Sequence, residues 1–411
     1  MAAQDTSRKA VGDAAARDAR RIVAARAFRG FADGLVSVLL AGYLTRLGFS
    51  PLEIGTIVTG TLLGSATLTI ALGLVGHRVP RRPLLLASAA LMLATGLGFA
   101  ATTSFLALLV VGVVGTMNPS AGDVSVFLPT EQAALAQTAT GHERTRLFAR
   151  YNVAGNLAGA VGALASGLPA LAAHAYGLDV VLAERGGFLL YALVALVNGT
   201  LYAGLGGEVE SGRQTAGRAL ERSRRVVLQL SALFSLDSFG GGFVVQSLLV
   251  LWLYRRFGFA VETAGAIFFA AGILSALSQL LSPVVAARIG LVRTMAYTHL
   301  PANVLLMAAG LAPSAPIAIA CLLLRASLSQ MDVPARQAYV MAVVPPEERA
   351  AAASVTNVPR SLASALPPLV TGAMLSWSAV GWPLVCGGAL KAIYDFLLLA
   401  RFRSVPALHE D

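Results

Sequence analysis

The amino-acid sequence predicts an all-α integral membrane protein with about twelve transmembrane helices in two pseudo-symmetric six-helix bundles. Three observations support this fold class. The chain of 411 residues is 56% hydrophobic and only 13% charged, whereas a soluble chain carries about a quarter charged residues. Apolar segments recur along its whole length. One stretch of the first half also recurs in the second half.

Twelve segments are apolar and long enough to cross a bilayer, whose hydrocarbon core of about 30 Å requires about 20 helical residues. They lie at 27–47, 52–76, 83–101, 104–127, 148–174, 186–205, 226–254, 263–287, 291–311, 315–344, 351–375 and 380–400. A soluble helical core could not hide this much apolar surface. The segments therefore favour a multi-pass membrane protein over a soluble helical one.

The internal repeat aligns residues 129–167 with 334–372 at a constant offset of 205, without a gap. Twelve of the 39 positions are identical, where an Ala- and Leu-rich composition would give about three or four. The identities are Pro129/Pro334, Gln132/Gln337, Ala133/Ala338, Glu143/Glu348, Arg144/Arg349, Asn152/Asn357, Val153/Val358, Leu157/Leu362, Ala158/Ala363, Ala160/Ala365, Leu164/Leu369 and Gly167/Gly372. Duplicated helical halves are typical of transporters that hold a substrate between two lobes.

The basic residues are distributed unevenly between the two sides of the predicted membrane. If both termini are cytoplasmic, 23 of the 31 Lys and Arg residues fall on the cytoplasmic side, and only Arg46, Arg185, Arg255 and Arg256 fall outside. This positive-inside pattern predicts a multi-pass protein of the cell (inner) membrane with both termini cytoplasmic. The net charge of +10 therefore reflects topology and does not indicate a nucleic-acid partner.

One sizeable polar stretch, 206–225, interrupts the apolar pattern near the middle of the chain. It predicts a cytoplasmic linker between two halves. The predicted organisation is a cytoplasmic N-terminal segment (1–26), an N-terminal six-helix bundle (27–205), the linker (206–225), a C-terminal six-helix bundle (226–403) and a cytoplasmic tail (404–411).

The loop between the second and third segments resembles the signature of the major facilitator superfamily, which reads Gly, three residues, Asp-Arg, one residue, Gly-Arg-Arg. The matching residues are Gly73, Arg78, Arg81 and Arg82. His77 replaces the acid and Pro80 replaces the second glycine. The second half contains a partial match to the same motif, which includes Arg288. The resemblance covers about residues 27–403, and no subfamily is assigned.

The resemblance implies two bundles that rock about a central site and expose it to each side of the membrane in turn. It places the loop between the second and third segments at the inner gate. The amides repeated near the inner ends of the fourth and tenth segments are better suited to locking a gate than to contacting substrate. The predicted gating residues are His77, Arg78, Arg81, Arg82, Arg288, Gln132, Gln337, Glu131 and Arg336.

Ionisable residues inside the predicted segments cost about 2.5–3.5 kcal/mol each to insert, so they usually face the bundle interior or a wet cavity. The tenth segment holds most of them. Arg325, Ser329, Asp332 and Arg336 share the spacing of one helical face, and Pro334 predicts a kink between them. In the twelfth segment, Lys391 and Asp395 are spaced to form an ion pair with each other.

Two of the buried arginines, Arg325 and Arg360, suggest a central site for an anion, because a guanidinium can bind a carboxylate or phosphate with two hydrogen bonds. The alternative is that Asp33, Asp237 and Asp332 already neutralise these arginines. The candidate substrate-binding residues are Arg325, Arg360, Asp123, Asp237, Asn152 and Asn357.

Three buried carboxylates, those of Asp33, Asp237 and Asp332, are candidates for proton coupling. A cavity of low dielectric disfavours the charged carboxylate, which suits proton exchange. The alternative is a salt bridge between helices. Residues 155–162 resemble the glycine-rich stretch of antiporters, but Ala160 stands where proline is expected. Glycines at this spacing also serve close helix packing.

These observations favour a secondary active transporter for a small organic solute, coupled to protons, with export ahead of import. Proton-coupled uptake of an organic anion is the closest alternative. A membrane-embedded enzyme is a remote third class, because the five histidines and the isolated Cys321 and Cys386 suggest no catalytic or metal-ligand set. The chain has no phosphate-binding Gly-x4-Gly-Lys-Ser/Thr loop, so ATP is not expected to drive it.

The expected partners are a small-molecule substrate, protons and the lipid bilayer, with no nucleic acid. We expect a monomer without a cofactor or a metal, and we expect the protein not to be an enzyme.

Overall fold

The computed structural model describes residues 2–75, 79–120, 125–139, 141–210 and 220–402, and it is helical throughout apart from short connections. The first half contains α1 (Ala2–Arg46), α2 (Pro51–Val75), α3 (Arg81–Ala101), α4 (Phe105–Val114), α5 (Phe127–Leu135), α6 (Gly141–Ala165), α7 (Leu168–Tyr176) and α8 (Val180–Ala203). The second half contains α9 (Arg224–Gly242), α10 (Gln246–Phe257), α11 (Val261–Ile289), α12 (Leu291–Leu311), α13 (Ala315–Ala326), α14 (Asp332–Val343), α15 (Arg349–Ala365), α16 (Pro367–Trp377) and α17 (Trp382–Phe402).

The predicted all-α membrane fold is confirmed. Eleven of the twelve predicted segments coincide with one helix or with two consecutive helices. The fourth segment, 104–127, is helical only in part, because α4 ends at Val114 and α5 begins at Phe127. By length and apolar composition, seven helical stretches of the described residues could each cross a membrane, and the shorter helices α4 and α13 are also apolar. The other predicted spans are helical in whole or in part, but they are interrupted or carry charged residues.

Four predicted segments are divided into two helices, namely α6/α7, α9/α10, α13/α14 and α15/α16. Glycine and proline explain several of these divisions. Gly167 separates α6 from α7, and Pro367 is the first residue of α16. Proline is tolerated at a helix start because its missing N–H would have no helical partner there.

The tenth segment differs from its prediction. Residues 327–331 form turns between α13 and α14, so Arg325 and Arg336 do not lie on one face of a continuous helix. The predicted kink at Pro334 is also wrong, because Pro334 is the third residue of α14 and follows the interruption. Polar side chains of α11 bind the freed backbone: the hydroxyls of Ser275 and Ser282 donate to the carbonyls of Ala326 (3.4 Å) and Met331 (2.6 Å).

Helices α1–α8 form one bundle and α9–α17 form the other, and their main packing partners correspond. In the first bundle α1 packs on α6 and α3 packs on α8; in the second, α9 packs on α15 and α12 packs on α17. Glycines allow the close approach of α1 and α6, because a Cβ at Gly30 or Gly34 would overlap the backbone of Gly155 or Gly159. Small residues let membrane helices gain dispersion contacts along their backbones.

We call the end of the bundles at which α3 and α9 begin the linker end, and the end at which α1 and α10 stop the far end. The bundles touch each other at the far end. A Cβ at Gly55 of α2 would lie 2.6 Å from the carbonyl oxygen of Pro368 and 3.0 Å from the Cα of Gly372. Gly167 likewise leaves room for Glu262, to which its added Cβ would approach within 2.9 Å.

Two glutamates anchor polar chain at the linker end. Glu210 accepts hydrogen bonds from the backbone N–H groups of Arg81 (2.7 Å) and Arg82 (2.8 Å), at the first turn of α3. Glu348, in the turn before α15, accepts backbone N–H groups of Glu221, Arg222 and Ser223 at 3.2, 2.9 and 3.1 Å, and also the Ser223 hydroxyl. At each end of the linker region (206–225), a carboxylate thus connects the linker to the adjacent bundle.

Candidate functional site

The first bundle contains a buried cluster of Arg29, Asp33, Glu131, Tyr151 and Tyr202, which we call the first charge cluster. The Arg29 Nη2 lies 2.5 Å from the Glu131 Oε2, and both side chains are almost fully buried. The Glu131 carboxylate also accepts the hydroxyls of Tyr202 (2.5 Å) and Tyr151. Asp33 lies farther from Arg29, with 3.8 Å between the carboxylate and the guanidinium.

These contacts leave the two carboxylates of the first charge cluster in different situations. Glu131 is bound by one cation and two hydroxyls, so its charge is compensated. Asp33 is also buried, but among the described residues it accepts no hydrogen bond, and its nearest cation already binds Glu131. Asp33 can therefore gain or lose a proton without breaking a short contact.

The second bundle contains a larger group, the second charge cluster, formed by Asp237, His299, Asn303, Asp332, Arg336, Lys391 and Asp395. At its centre is Asp237 on α9, whose Oδ1 lies 2.5 Å from the Lys391 Nζ and whose Oδ2 lies 3.2 Å from the Arg336 Nη1. Arg336 also pairs with Asp332 at 3.2 Å. Asp237 and Asp332 are thus both held by cations.

The predicted ion pair between Lys391 and Asp395 is wrong. Lys391 binds Asp237 instead, and Asp395 binds α12: His299 Nδ1 lies 3.0 Å from Asp395 Oδ1, and the Asn303 amide donates to Asp395 Oδ2 at 2.8 Å. Spacing along one helix predicted the pair, but partners on neighbouring helices lie closer.

The two clusters occupy corresponding places in the repeat with opposite signs. Glu131 and Arg336 are equivalent at the offset of 205, and each pairs with the first helix of its own bundle, Glu131 with Arg29 and Arg336 with Asp237. Each arginine also lies over a phenylalanine ring, Arg29 at 5.0 Å and Arg336 at 5.5 Å from the ring centroid. The backbone duplication is therefore kept while the charges are exchanged.

The two arginines of the anion hypothesis lie near the interruption of the tenth segment and on α15. Arg325 lies in the last turn of α13. Among the described residues it has no carboxylate within 4.0 Å, and its buried Nε has no hydrogen-bond partner. The Arg360 Nε donates to the Ser238 hydroxyl and its Nη1 donates to the Asn357 side chain, both at 3.2 Å. Asp237 and Asp332 act on Arg325 through space only.

The other predicted site residues are separated from the clusters or lie outside the described part of the chain. Asn152 and Asn357 are both exposed, as are Gln337 and Arg288. Gln132 is half-buried on α5. His77, Arg78 and Asp123 lie outside the described residues.

Several site residues escaped the sequence prediction. Tyr151, Tyr202 and His299 were not predicted, because nothing in the local sequence marks a side chain that meets partners from distant helices. A second omission is a chain of amides: Asn156 of α6 donates to Gln279 of α11 at 3.0 Å, and Gln279 donates to Gln330 at 3.2 Å. These amide hydrogen bonds join one bundle to the other, and a search for polar residues inside apolar segments would have found the three residues.

Chemically, the clusters can bind and release protons and can hold charges in a dry interior. Within the described ranges, no group of three or more His, Cys, Asp or Glu side chains is placed to hold a metal ion. The arrangement is that of buried acid–base pairs, one set in each bundle.

Known proteins resemble this chain over nearly its whole length. The sequence profile of the Major Facilitator Superfamily matches residues 22–368. A curated relative, described as "Uncharacterized membrane protein YJR124C" of Saccharomyces cerevisiae, is 24% identical over 428 aligned positions, which cover 96% of each chain.

Solved structures with the same fold include a D-xylose-proton symporter, with a TM-score of 0.75 and 15% identity over 95% of this chain and 98% of the other. The nucleoside transporter NupG has a TM-score of 0.71 and 15% identity over 94% of this chain and 99% of the other. At these identities the structures show the fold alone.

Proposed function

The chain belongs to the Major Facilitator Superfamily of secondary transporters, and from that premise we propose that it couples the movement of a small organic solute to protons. The coupling proton binds to Asp33. The bundles rock about the space between them and so open it to either side in turn, as expected for a fold of two repeated halves. We also propose that the linker end is cytoplasmic, in agreement with the distribution of basic residues.

One observation carries the proposal of proton coupling: Asp33 is the least compensated of the three candidate carboxylates. Asp237 binds Lys391 and Arg336, and Asp332 binds Arg336 at 3.2 Å. Asp33 has only the distant contact of 3.8 Å to Arg29. A buried carboxylate without a close cation favours its neutral form, which is the property that a reversible proton carrier needs.

The position of Asp33 links a change of its charge to the movement of helices. Asp33 lies beside Gly34 on α1, at the glycine contact with α6, and one turn from Arg29. Arg29 in turn binds Glu131 of α5. Protonation of Asp33 removes one of the two charges that attract Arg29, and it thereby alters the balance among α1, α5 and α6.

The test is transport in proteoliposomes under an imposed pH gradient, screened with a panel of metabolites and drugs. For a solute that wild-type protein concentrates, we expect Asp33→Asn to abolish accumulation driven by the pH gradient while exchange of labelled for unlabelled solute continues. The matched control is Asp179→Asn, at the exposed start of α8, where asparagine also caps a helix well. Accumulation that is insensitive to the pH gradient in wild-type protein would exclude proton coupling.

The direction of transport follows from the same assay, with the gradient imposed in either sense. The glycine spacing of residues 155–162 that favoured export serves the packing of α6 on α1, so it gives no separate support for export. Exchange in both directions with accumulation on only one side would identify the direction.

A second candidate, transport of an organic anion, is favoured by Arg325. This guanidinium lies at the interruption between α13 and α14 without a carboxylate within 4.0 Å among the described residues, and its Nε is buried and unpartnered. An arginine in this situation can bind a carboxylate or phosphate of a solute.

The anion hypothesis is tested with Arg325→Gln and Arg325→Lys in the same panel. We expect the glutamine variant to lose about ten-fold or more in apparent affinity for anionic solutes, which corresponds to about 1.4 kcal/mol, and the lysine variant to lose less. Arg255→Gln, at an exposed arginine in the last turn of α10, is the control. Unchanged preference between anionic and neutral solutes in Arg325→Gln would contradict the hypothesis.

A further inference from the structure

We propose that His299 is a buried proton-binding site, shared with Asp395 and distinct from Asp33, whose occupancy sets the net charge of the second charge cluster. The inference deepens the proposed proton coupling and rests on it for the role of this site in transport. The binding of the proton itself is argued and tested independently of transport.

The geometry places the imidazole between two carboxylates that belong to different helices. His299 lies on α12 and is 3% exposed. Its Nδ1 is 3.0 Å from Asp395 Oδ1 on α17, and its Nε2 is 3.8 Å from Asp237 Oδ1 on α9. A neutral imidazole carries one N–H, which can donate to Asp395 when it is on Nδ1. An imidazolium can donate the same hydrogen bond and also turns an N–H and a positive charge toward Asp237, 3.8 Å away.

The charges of the cluster give the second argument. Its three carboxylates, Asp237, Asp332 and Asp395, are accompanied within 4.0 Å by two permanent cations, Arg336 and Lys391, while Arg325 acts on Asp237 and Asp332 from a greater distance. Within contact distance, the cluster is therefore one positive charge short of neutrality when His299 is neutral. Protonation of His299 makes the two signs equal, and a buried charge that has no counter-charge is costly.

The helices around His299 contribute the following groups. On its own helix Asn303 Nδ2 lies 3.2 Å from Nδ1, and the amide also binds Asp395. Helix α17 contributes Lys391, Asp395 and Tyr394, whose ring meets the imidazole edge-on with 6.0 Å between centroids. Helix α14 contributes Arg336, which pairs with Asp237, and Asp332, which pairs with Arg336. Helix α13 contributes Arg325, and the ionisable residues of α11, Glu262 and Arg288, lie at its two ends.

The hydrogen bond at Nδ1 explains why Asp395 shares the proton of His299. An ionised Asp395 needs a donor from Nδ1, because a carboxylate only accepts. Asn303 already donates to the other carboxylate oxygen at 2.8 Å, which keeps Asp395 oriented toward the ring. Asp395 is fully buried, so His299 and Asn303 supply the contacts that replace water around it.

The experiment is a pH titration of the purified full-length protein with isotopically labelled histidine, followed by nuclear magnetic resonance in lipid nanodiscs. The His299 signal is identified as the one that disappears in His299→Gln. Across a range from acidic to alkaline pH we expect this signal to change between that of the imidazole with one N–H and that of the imidazolium with two. In Asp395→Asn this change should differ from that of the wild-type protein, because one of the two carboxylates that face the imidazole is absent.

Two controls separate the charge of the cluster from its packing. Tyr394→Phe keeps the ring beside His299 and removes a hydroxyl that makes no hydrogen bond within the described structure, so the titration should not change. His174→Gln removes a histidine at the far end of the first bundle, on α7, and should leave the His299 signal unaltered. If His299→Gln does not fold, substitution of the other four histidines one at a time assigns the signal by elimination.

A His299 signal that stays constant across this pH range overturns the proposal. A titration that Asp395→Asn leaves unchanged overturns the sharing with Asp395. Titration of His299 in a protein whose transport ignores the pH gradient contradicts the proposed function and leaves this site standing. Accumulation driven by a pH gradient without any titration of His299 supports the proposed function and contradicts this site.

Discussion

Individual buried charges in this protein differ mainly in how many partners they have. Glu131 and Asp237 are each bound by several groups from other helices, whereas among the described residues the one ion pair of Asp33 is the long contact with Arg29 at 3.8 Å. Burial of an ion pair stabilises only when the geometry compensates for lost hydration. The compensated carboxylates are therefore suited to fixing helices, and the uncompensated one is suited to changing its protonation.

At this scale we predict the effect of removing the lysine from the second charge cluster. Lys391→Met leaves Asp237 with one cation in place of two, and removal of one partner from a buried pair typically costs about 3–5 kcal/mol. Thermal unfolding in detergent should show a large fall in midpoint.

The double variant Lys391→Met/Asp237→Asn is the control for that prediction. It removes both charges of the pair, so part of the lost stability should return. A double variant that is as unstable as the sum of the two single variants would show that the ion pair itself contributes nothing.

Residue types alone could not reveal these partnerships. The sequence correctly singled out Asp33, Asp237 and Arg336 as buried charges, because any ionisable residue in an apolar segment is conspicuous. It could not tell which of them meet, since the contacts join helices that are about a hundred residues apart. His299 escaped for the same reason: its partners come from two other helices.

At the scale of helices, glycine contacts determine which helices pack closely, and the Glu210 and Glu348 carboxylates hold the linker residues at the linker end. The average hydrophobicity of 20 residues is a strong signal, so the helical segments could be predicted well. The interruptions were harder to predict. In the tenth segment the turns at 327–331 precede Pro334, because the serines of α11 stabilise the exposed carbonyls of Ala326 and Met331, and such distant support leaves no trace in local composition.

One prediction at this scale concerns the packing of α1 on α6. Gly34→Ala places a Cβ against the backbone of Gly159, where there is no room, so the helices must separate and lose dispersion contacts. We expect a loss of about 1–3 kcal/mol, as for other overpacked sites, measured as a lower midpoint of thermal unfolding.

Gly186→Ala is the matched control for Gly34→Ala. Gly186 lies within α8 with open space around its Cβ position, so alanine there should be neutral or stabilise by about 0.4–1 kcal/mol through the unfolded chain. Equal effects at the two glycines would contradict the role assigned to the contact between α1 and α6.

A second prediction concerns acid and Glu348. The Ser223 hydroxyl and the backbone N–H groups of Arg222, Ser223 and Glu221 lower the pKa of Glu348 from 4.5 to about 2. A pKa that is lower in the folded than in the unfolded state gives stability that is complete above about pH 4.5 and is lost as the pH falls toward 2. Glu348→Gln should therefore weaken the dependence of the unfolding midpoint on pH within this interval.

The repeat supplies the control for Glu348. Glu143 is its equivalent at the offset of 205, and its side chain is exposed. Glu143→Gln should keep the wild-type dependence on pH. Parallel curves for wild type and Glu348→Gln below pH 4.5 would refute the assignment.

For the molecule as a whole, the internal sequence repeat is reflected in corresponding helix pairs of the two bundles and in one corresponding hydrogen bond. The Nε atoms of Arg144 and Arg349 donate to the carbonyls of Ala139 and Val344, which are also 205 residues apart. The far end brings the two bundles together at Gly55 and Gly372. The protein therefore consists of two similar bundles, which meet at the far end and also along α6 and α11, where Asn156 donates to Gln279.

We predict that a larger side chain at this meeting point changes the preferred state of the whole molecule. A Cβ at Gly55 would lie 2.6 Å from the Pro368 carbonyl oxygen, so Gly55→Val should disfavour closure of the far end. Accessibility of single cysteines at far-end positions to a membrane-impermeant maleimide should rise several-fold. Gly199→Val, in open surroundings on α8, should not change it.

The ion pairs carry a consequence for the energy of switching between states. Among the residues that the structure describes, every ion pair within 4.0 Å joins two residues of the same bundle. A rigid-body movement of one bundle against the other thus breaks none of these pairs. Between described residues of the two bundles, it exchanges packing contacts and neutral hydrogen bonds such as that from the Ser247 N–H to the Pro119 carbonyl at 3.1 Å. The activation barrier should accordingly depend on temperature and on lipid packing, and hardly on ionic strength.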